Sequence, residues 1–201
     1  ELDQRLFIAL VDQAGVSIDN RLLLQQTERA LSRQEKLYAA SRIINTQRDL
    51  SDLVYAAVAT TSEPSLDFAL GLLEGPSNDD GWPSYSRIIA ISHKGSISAS
   101  DERHRLNVTP PSPMLQREPE IINDLQQMQV DSSVDAAWLE GLGYRFVGLF
   151  PLYSDNEPSA IFYIFNAEPY ELSMEDYEVY RAQTGQMSTQ IQNRRLLART
   201  E

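Results

Sequence analysis

The two ends of this chain are copies of one another, and that repeat fixes the size of the folding unit. Leu2 through Glu28 align with Glu175 through Glu201 at an offset of 173 (186 − 13, matching Gln13 to Gln186). The identities are Asp3/Asp176, Ala9/Ala182, Gln13/Gln186, Ile18/Ile191, Asn20/Asn193, Arg21/Arg194, Leu23/Leu196, Leu24/Leu197, Thr27/Thr200 and Glu28/Glu201. Most mismatches keep their character, as in Phe7 with Tyr180 and Leu6 with Val179. One structural unit therefore spans about 173 residues. The chain is expected to hold one such unit, residues 36–201, preceded by residues 1–35 as the exit helix of an earlier unit and a linker helix. With no initiator Met, it reads as an excerpt from a longer array.

A chain of 201 residues has room for one compact domain with flanking helices. Cysteine is absent, which rules out disulfides, thiolate metal sites and a nucleophilic thiol, and fits a reducing, cytoplasmic setting. Seventeen basic residues against 29 acidic ones give a net charge of −12. Nucleic acid and anionic membranes both require cationic patches, so neither is an expected partner. The local basic excess at Arg194, Arg195 and Arg199 sits near a helix C-terminus, where cations favour the helix dipole. No apolar run approaches the ~18 residues of a membrane span, and the short apolar stretch Leu6–Val11 lies within a helical pattern rather than a signal peptide.

Helix signals dominate the first part of the chain. Phe7, Val11, Ala14 and Ile18 recur at helical spacing, and the stripe continues through Leu23/Leu24, Thr27, Ala30/Leu31, Gln34, Leu37/Tyr38, Ser41 and Ile44. A helix over 3–44 is predicted, too long and too narrowly apolar for the core of a small domain, so it is expected to self-associate. After a break at 45–49, Asp49 or Ser51 is expected to cap a second helix that ends before Pro64.

Strands are predicted at 67–74 and 86–93, joined by a turn-rich loop from Gly75 to Pro83. Residues 96–119 read as an ordered loop with a short strand near Ile97 and one helical turn around Met114–Arg117. A brief strand at 120–123 and a short helix over 134–141 follow. Two more strands, 145–153 and 159–166, form a predicted hairpin, and Ser173-x-x-Asp176 opens the last helix. Its stripe is Tyr177, Tyr180, Thr184, Met187, Ile191, Arg194 and Ala198. The order predicts an α+β fold, an antiparallel sheet sandwiched by helices, with the pair near 36–60 and 174–198 against one face.

The chain resembles a GAF domain, a sensory module of PAS-like architecture. The segment Leu37–Asn45 with the break at Asp49–Leu53 is similar to the leading helix of many bacterial GAF domains. Glu118-Pro119-Glu120-Ile121-Ile122-Asn123-Asp124 resembles their central strand, and Leu142–Leu152 resembles the strand ending in Pro-Leu. The ending Gln183–Leu197, and its copy Leu10–Leu24, resemble the exit helix. The resemblance covers 36–197 and departs at Gln116-Arg117, where the family usually carries a glycine. It implies a ligand pocket on one face of the sheet, with a range that includes cyclic-nucleotide receptors, bilin photoreceptors, haem sensors, a sulfoxide reductase and modules with no known ligand. It also implies a place in a signalling protein such as a histidine kinase, cyclase or transcriptional regulator.

No catalytic set stands out: there is no Gly-x-Ser-x-Gly elbow and no HExxH helix. Cysteine-dependent reduction and covalent bilin attachment within this domain are excluded, and the Asn-Lys…Phe-x3-Asp-Glu pattern of cyclic-nucleotide receptors is not found. His93 and His104 are the only histidines, the second in a charged run expected to be a solvated loop, so no metal or haem cofactor is expected. Four residues are candidates for the pocket. Asp124 either accepts hydrogen bonds from a ligand or caps the following turn. Trp138 and Tyr144 either stack on a planar ligand or anchor the core. Arg87 is either a pocket cation or an exposed strand residue. Apart from these four, Trp82 in the turn-rich loop is either a lid or a packing residue. The expected chemistry is a non-catalytic module that binds an unidentified small molecule, or else a purely structural spacer. A parallel homodimer is expected, with its seam at Phe7, Val11, Ile18, Leu24, Leu31, Tyr177, Tyr180, Met187 and Ile191.

Overall fold

The computed structural model describes residues 2–46, 49–61, 63–108, 112–127, 133 and 136–198. The chain divides into two units, residues 1–36 and 37–201. The first is the leading part of helix α1 (Leu2–Thr46). Throughout residues 13–32 its described side chains are exposed, including Val16, Ile18, Leu22, Leu23, Leu24 and Leu31. The side chains of Phe7 and Val11 lie outside the described residues. No described helix is long and apolar enough to cross a membrane.

The second unit is built on an antiparallel sheet of seven strands: β1 (Asp67–Ser77), β2 (Pro83–His93), β3 (Ser96–Ala99), β4 (Arg103–Arg105), β5 (Glu120–Ile122), β6 (Phe146–Ser154) and β7 (Glu157–Asn166). The order is β3-β2-β1-β7-β6-β5, with β4 also paired to β2. The expected 145–153/159–166 hairpin is present as β6 and β7. Its turn, Asp155-Asn156, has positive φ at both residues, as does Lys94-Gly95 between β2 and β3. Such turns match the right-handed twist of the strands they join.

Strand β7 lies at the centre of the sheet and is covered on both faces, which is why it reads as a continuous apolar run. Ala160, Phe162 and Ile164 enter one core with Phe68, Leu70, Phe150 and Leu152; Ile161, Tyr163 and Phe165 enter a second core with Val147 and Leu149. A bulge adjusts the β1–β2 pairing, where Leu70 pairs with Ala90 and Gly71 with Ile88, leaving Ile89 unmatched.

Helices α2 (Leu53–Thr60) and α4 (Met174–Ala198) belong to the first core, with Ala40 and Ile43 of α1. The expected cap of α2 is corrected. Asp52 holds the N-cap position and makes no side-chain cap bond. Its carboxylate accepts the amide of Asp49 instead. Ser173 does cap α4: its Oγ accepts from the Asp176 amide at 3.0 Å and donates to the Asp176 carboxylate at 2.7 Å.

The dimer seam expected on α4 is also corrected. Tyr180, Met187 and Ile191 are 2%, 0% and 1% exposed, buried against the sheet and α2 of their own chain. Tyr177 is partly buried beside Phe150. Tyr180, Met187 and Ile191 of this stripe are spent on the domain's own core.

Candidate functional site

The sheet face away from α2 and α4 carries a column of rings. Alternation along β7 sends Tyr163 and Phe165 to this face, where they stack at 5.6 Å between centroids. Tyr144 stacks on Phe165 at 4.8 Å. It is delivered by the stop of α3 (Ala136–Gly141), where Gly143 at φ 82° reverses the chain and the Tyr144 amide returns to the Leu139 carbonyl. From the same helix Trp138 reaches over His104 of β4, the rings parallel within 7° and 3.8 Å apart. Trp138 also meets the edges of Tyr163 and Phe165.

Three polar groups at the rim of this column, on Trp138, Tyr144 and Tyr163, have protein partners. Trp138 Nε1 donates to Glu102 Oε1 at 2.7 Å, and the Tyr163 hydroxyl pairs with His104 Nε2 at 3.1 Å. The Tyr144 hydroxyl donates to Asp67 Oδ2, a buried carboxylate that also accepts the Lys94 amide and faces His93 Nδ1. Burial pushes the Tyr163 phenol well above the usual tyrosine range, with the Ser86 hydroxyl opposing it. Burial raises Tyr144 too, and the Asp67 charge adds to the effect. Both rings therefore act as neutral hydrogen-bonding groups.

Of the four sequence candidates, the fold brings Trp138 and Tyr144 together on Phe165. Arg87 does not join them. His104 pairs with Ser86 in the β2–β4 ladder, so the residue after Ser86 turns to the opposite face. There Arg87 donates to Glu74 at 2.6 Å and to Asp101 at 3.2 Å, and these carboxylates, Glu74 first, raise its pKa further. Asp124 caps the turn at Leu125–Gln127 through the Gln126 amide. It also takes Arg145 through both carboxylate oxygens, at 3.2 and 2.7 Å. Burial works against its charge, yet these hydrogen bonds outweigh it and hold the carboxyl below the usual range. Trp82 packs edge-on against Tyr153.

The residues that sequence reasoning missed are His104, Tyr163 and Phe165. His104 is buried rather than solvated, because Arg103–Arg105 is a strand. The signal was the alternation of His104, Leu106 and Val108, all buried, with Arg103, Arg105 and Asn107, all exposed. Two clefts lie on the helix-bearing side of the sheet. One, of about 240 Å³, is lined by Ile121, Asn123, Glu171, Leu172, Met174 and Tyr177; the other, of about 490 Å³, by Ser51, Asp52, Tyr55, Ile97 and Ala99. Among the described residues no group of three or more His, Asp or Glu gathers in a metal-binding arrangement.

No protein-family model matches the sequence, and no curated protein sequence does. Solved structures resemble the fold. The GAF domain from a phosphoenolpyruvate-protein phosphotransferase of Coxiella burnetii superposes with a TM-score of 0.61 at 16% identity, covering 84% of this chain and 98% of that one. The GAF domain of the Acinetobacter phosphoenolpyruvate-protein phosphotransferase gives 0.59 at 12% identity, covering 83% and 97%. The phycoerythrobilin-bound GAF domain from a cyanobacterial phytochrome gives 0.55 at 15% identity, covering 84% and 99%. With an antiparallel sheet, α2 and α4 on one face and a ring-lined opposite face, the chain has a GAF-like fold.

Proposed function

We propose that residues 37–198 are a non-catalytic sensory or regulatory module that takes a small planar molecule on the ring-lined face of the sheet. The stack of Trp138 on His104, at 3.8 Å and 7°, carries this reading. It is a seat for a flat ring, with hydrogen-bonding groups at its edges in Glu102 and Tyr163. His104 sits on the sheet, whereas Trp138 comes from a six-residue helix. The tryptophan is thus the movable half, and a ligand ring slides into its place or stacks beside it. Fold neighbours include a bilin-bound domain, so a fold of this kind accommodates a flat ligand. The absence of cysteine excludes thioether attachment of such a ligand within this chain.

The ligand-bound state then biases the terminal helices of a parallel homodimer, which relay it to an output domain such as a histidine kinase in the cytoplasm. The seam of that dimer lies on α1, where Val16, Leu23, Leu24 and Leu31 are 60%, 60%, 63% and 56% exposed.

A second reading, a structural dimerisation spacer with no ligand, is favoured by one observation. The polar groups of the candidates Trp138, Tyr144 and Asp124 are already satisfied within the protein. Thermal melting against fractionated low-molecular-weight cell extract separates the two. A ligand that binds the native state raises the melting temperature by mass action, and a ligand at about 100 times its Kd adds ~2.7 kcal/mol. A response to a fraction, lost in Trp138→Leu, supports the sensor. A flat response to every fraction supports the spacer.

A further inference from the structure

The indole of Trp138 is itself a ring seated on this face, and its contacts describe the chemistry that the seat favours. One surface lies on the His104 imidazole at 3.8 Å, and its inner side meets the fully buried rings of Tyr163 and Phe165. Its N–H donates to Glu102 Oε1 at 2.7 Å, and Glu102 is exposed. A ring that displaces Trp138 inherits these contacts. An ionised carboxylate only accepts hydrogen bonds, so Glu102 favours an N–H or a positive charge at the outer edge of such a ring and repels a negative one.

The other charges around the face act in the same direction. Asp67 pairs with Phe165 across β1 and β7, so its buried carboxylate lies on the ring-lined face, where the Tyr144 hydroxyl donates to it. The described arginines of the sheet and its loops are directed elsewhere. Arg87 turns to the opposite face, to Glu74 and Asp101. Arg103 and Arg105 alternate with His104 and leave the ring-lined face, Arg103 lying over the Tyr85 ring at 3.9 Å. Arg145 is held by both oxygens of Asp124, and Arg117 stacks on Tyr153 and donates to Asn156. A flat ligand bearing carboxylates or phosphates would need such cations, and this face presents carboxylates instead. Aromatic faces add to the preference, since they attract cations.

We infer that the ring-lined face selects a nitrogen heteroaromatic that is neutral or cationic and carries an N–H at its outer edge. Trp138 plugs the seat until such a ring displaces it, and Glu102 is the residue that sets the specificity. This rests on the reading above that Trp138 is the movable half of the stack.

The chain has two tryptophans, so nitrogen–proton NMR of the labelled protein gives two indole N–H signals. Glu102→Gln identifies the signal of Trp138, and Trp82, buried against Tyr153, is the control. Three probes share one ring system. Tryptamine is cationic with a ring N–H, its ring-N-methylated form is cationic without one, and indoleacetate is anionic with one. Each must displace the same tryptophan, so the differences between them report the exchange at Glu102. Tryptamine is expected to move the Trp138 signal saturably at a concentration about fivefold or more below the other two. Glu102→Gln, at an exposed position, is expected to fold and to abolish that difference. If either of the other probes binds as tightly as tryptamine, or the preference survives Glu102→Gln, the ligand class is wrong while the ring seat stands. If no probe moves the Trp138 signal, the indole is a fixed part of the core, and this inference falls together with the movable tryptophan.

Discussion

Replacing Ile191 with Asp separates the two roles that a striped terminal helix can play. Ile191 is 1% exposed and shares a core with Ala40, Leu53 and Met187. Removing its buried aliphatic atoms costs about 2–5 kcal/mol. Burying an unpaired carboxylate adds a few more, about 1–3 kcal/mol after the group takes up a proton. The sum, about 3–8 kcal/mol, is comparable with the whole stability of a domain this size, about 5–15 kcal/mol. Urea denaturation followed by circular dichroism is the assay. The midpoint should collapse at neutral pH and recover partly in acid. The sign follows from burial, which raises the folded-state pKa of the new carboxyl, so its charge penalty is full above that value and relieved as pH falls through it. Asn193→Asp is the control, since Asn193 is exposed; Gln192 is unsuitable because its amide donates to Asp155 at 2.6 Å. If Ile191→Asp keeps the wild-type midpoint yet turns a dimer into a monomer, α4 is a seam and the burial reasoning fails.

Gly71→Ala should destabilise by about 1–3 kcal/mol or more in a thermal melt. A Cβ there would collide with the Ser86 hydroxyl and meet the Tyr163 ring at 2.9 Å; an unchanged melt would mean that the ring column yields easily. Asp124→Asn should flatten the acid limb of the stability curve. The wild-type carboxyl is depressed in the folded state, so its contribution is present above the ordinary carboxyl range and lost as pH falls through the depressed value. Ultraviolet titration should find Tyr144, Tyr163 and Tyr180 protonated until the protein unfolds in alkali, since burial raises all three. Leu31→Asp, on the exposed α1 stripe, should leave the melt of residues 37–198 intact while light scattering shows a smaller species.

The parts of the fold legible in the sequence were those with local causes. β6 and β7 announce themselves as apolar runs, and Ser173-x-x-Asp176 announces α4. Asp155-Asn156 supplies the residues that a hairpin turn with two positive φ angles requires. The α4 stripe was legible as a stripe but not as to its partner, because a helix on a sheet and a helix in a coiled coil share nearly the same spacing. Trp138 and Tyr144 were recognisable as ring candidates. Their meeting on Phe165 depends on a strand that starts beyond the α3 stop. His104 was hidden by its charged neighbours, which mask a three-residue strand. The roles of Arg87 and Asp124 depend on partners at Glu74, Asp101 and Arg145, 13 to 21 positions away, and no local pattern encodes those pairs.

The central claim, that the ring-lined face holds a small molecule, is tested most directly by native mass spectrometry of the protein taken from cells without denaturation. Wild type should carry a noncovalent mass beyond the 22.7 kDa polypeptide, and Trp138→Leu should lose it while keeping its fold by circular dichroism. A bare polypeptide mass in every preparation, or a bound mass indifferent to Trp138, would contradict the account.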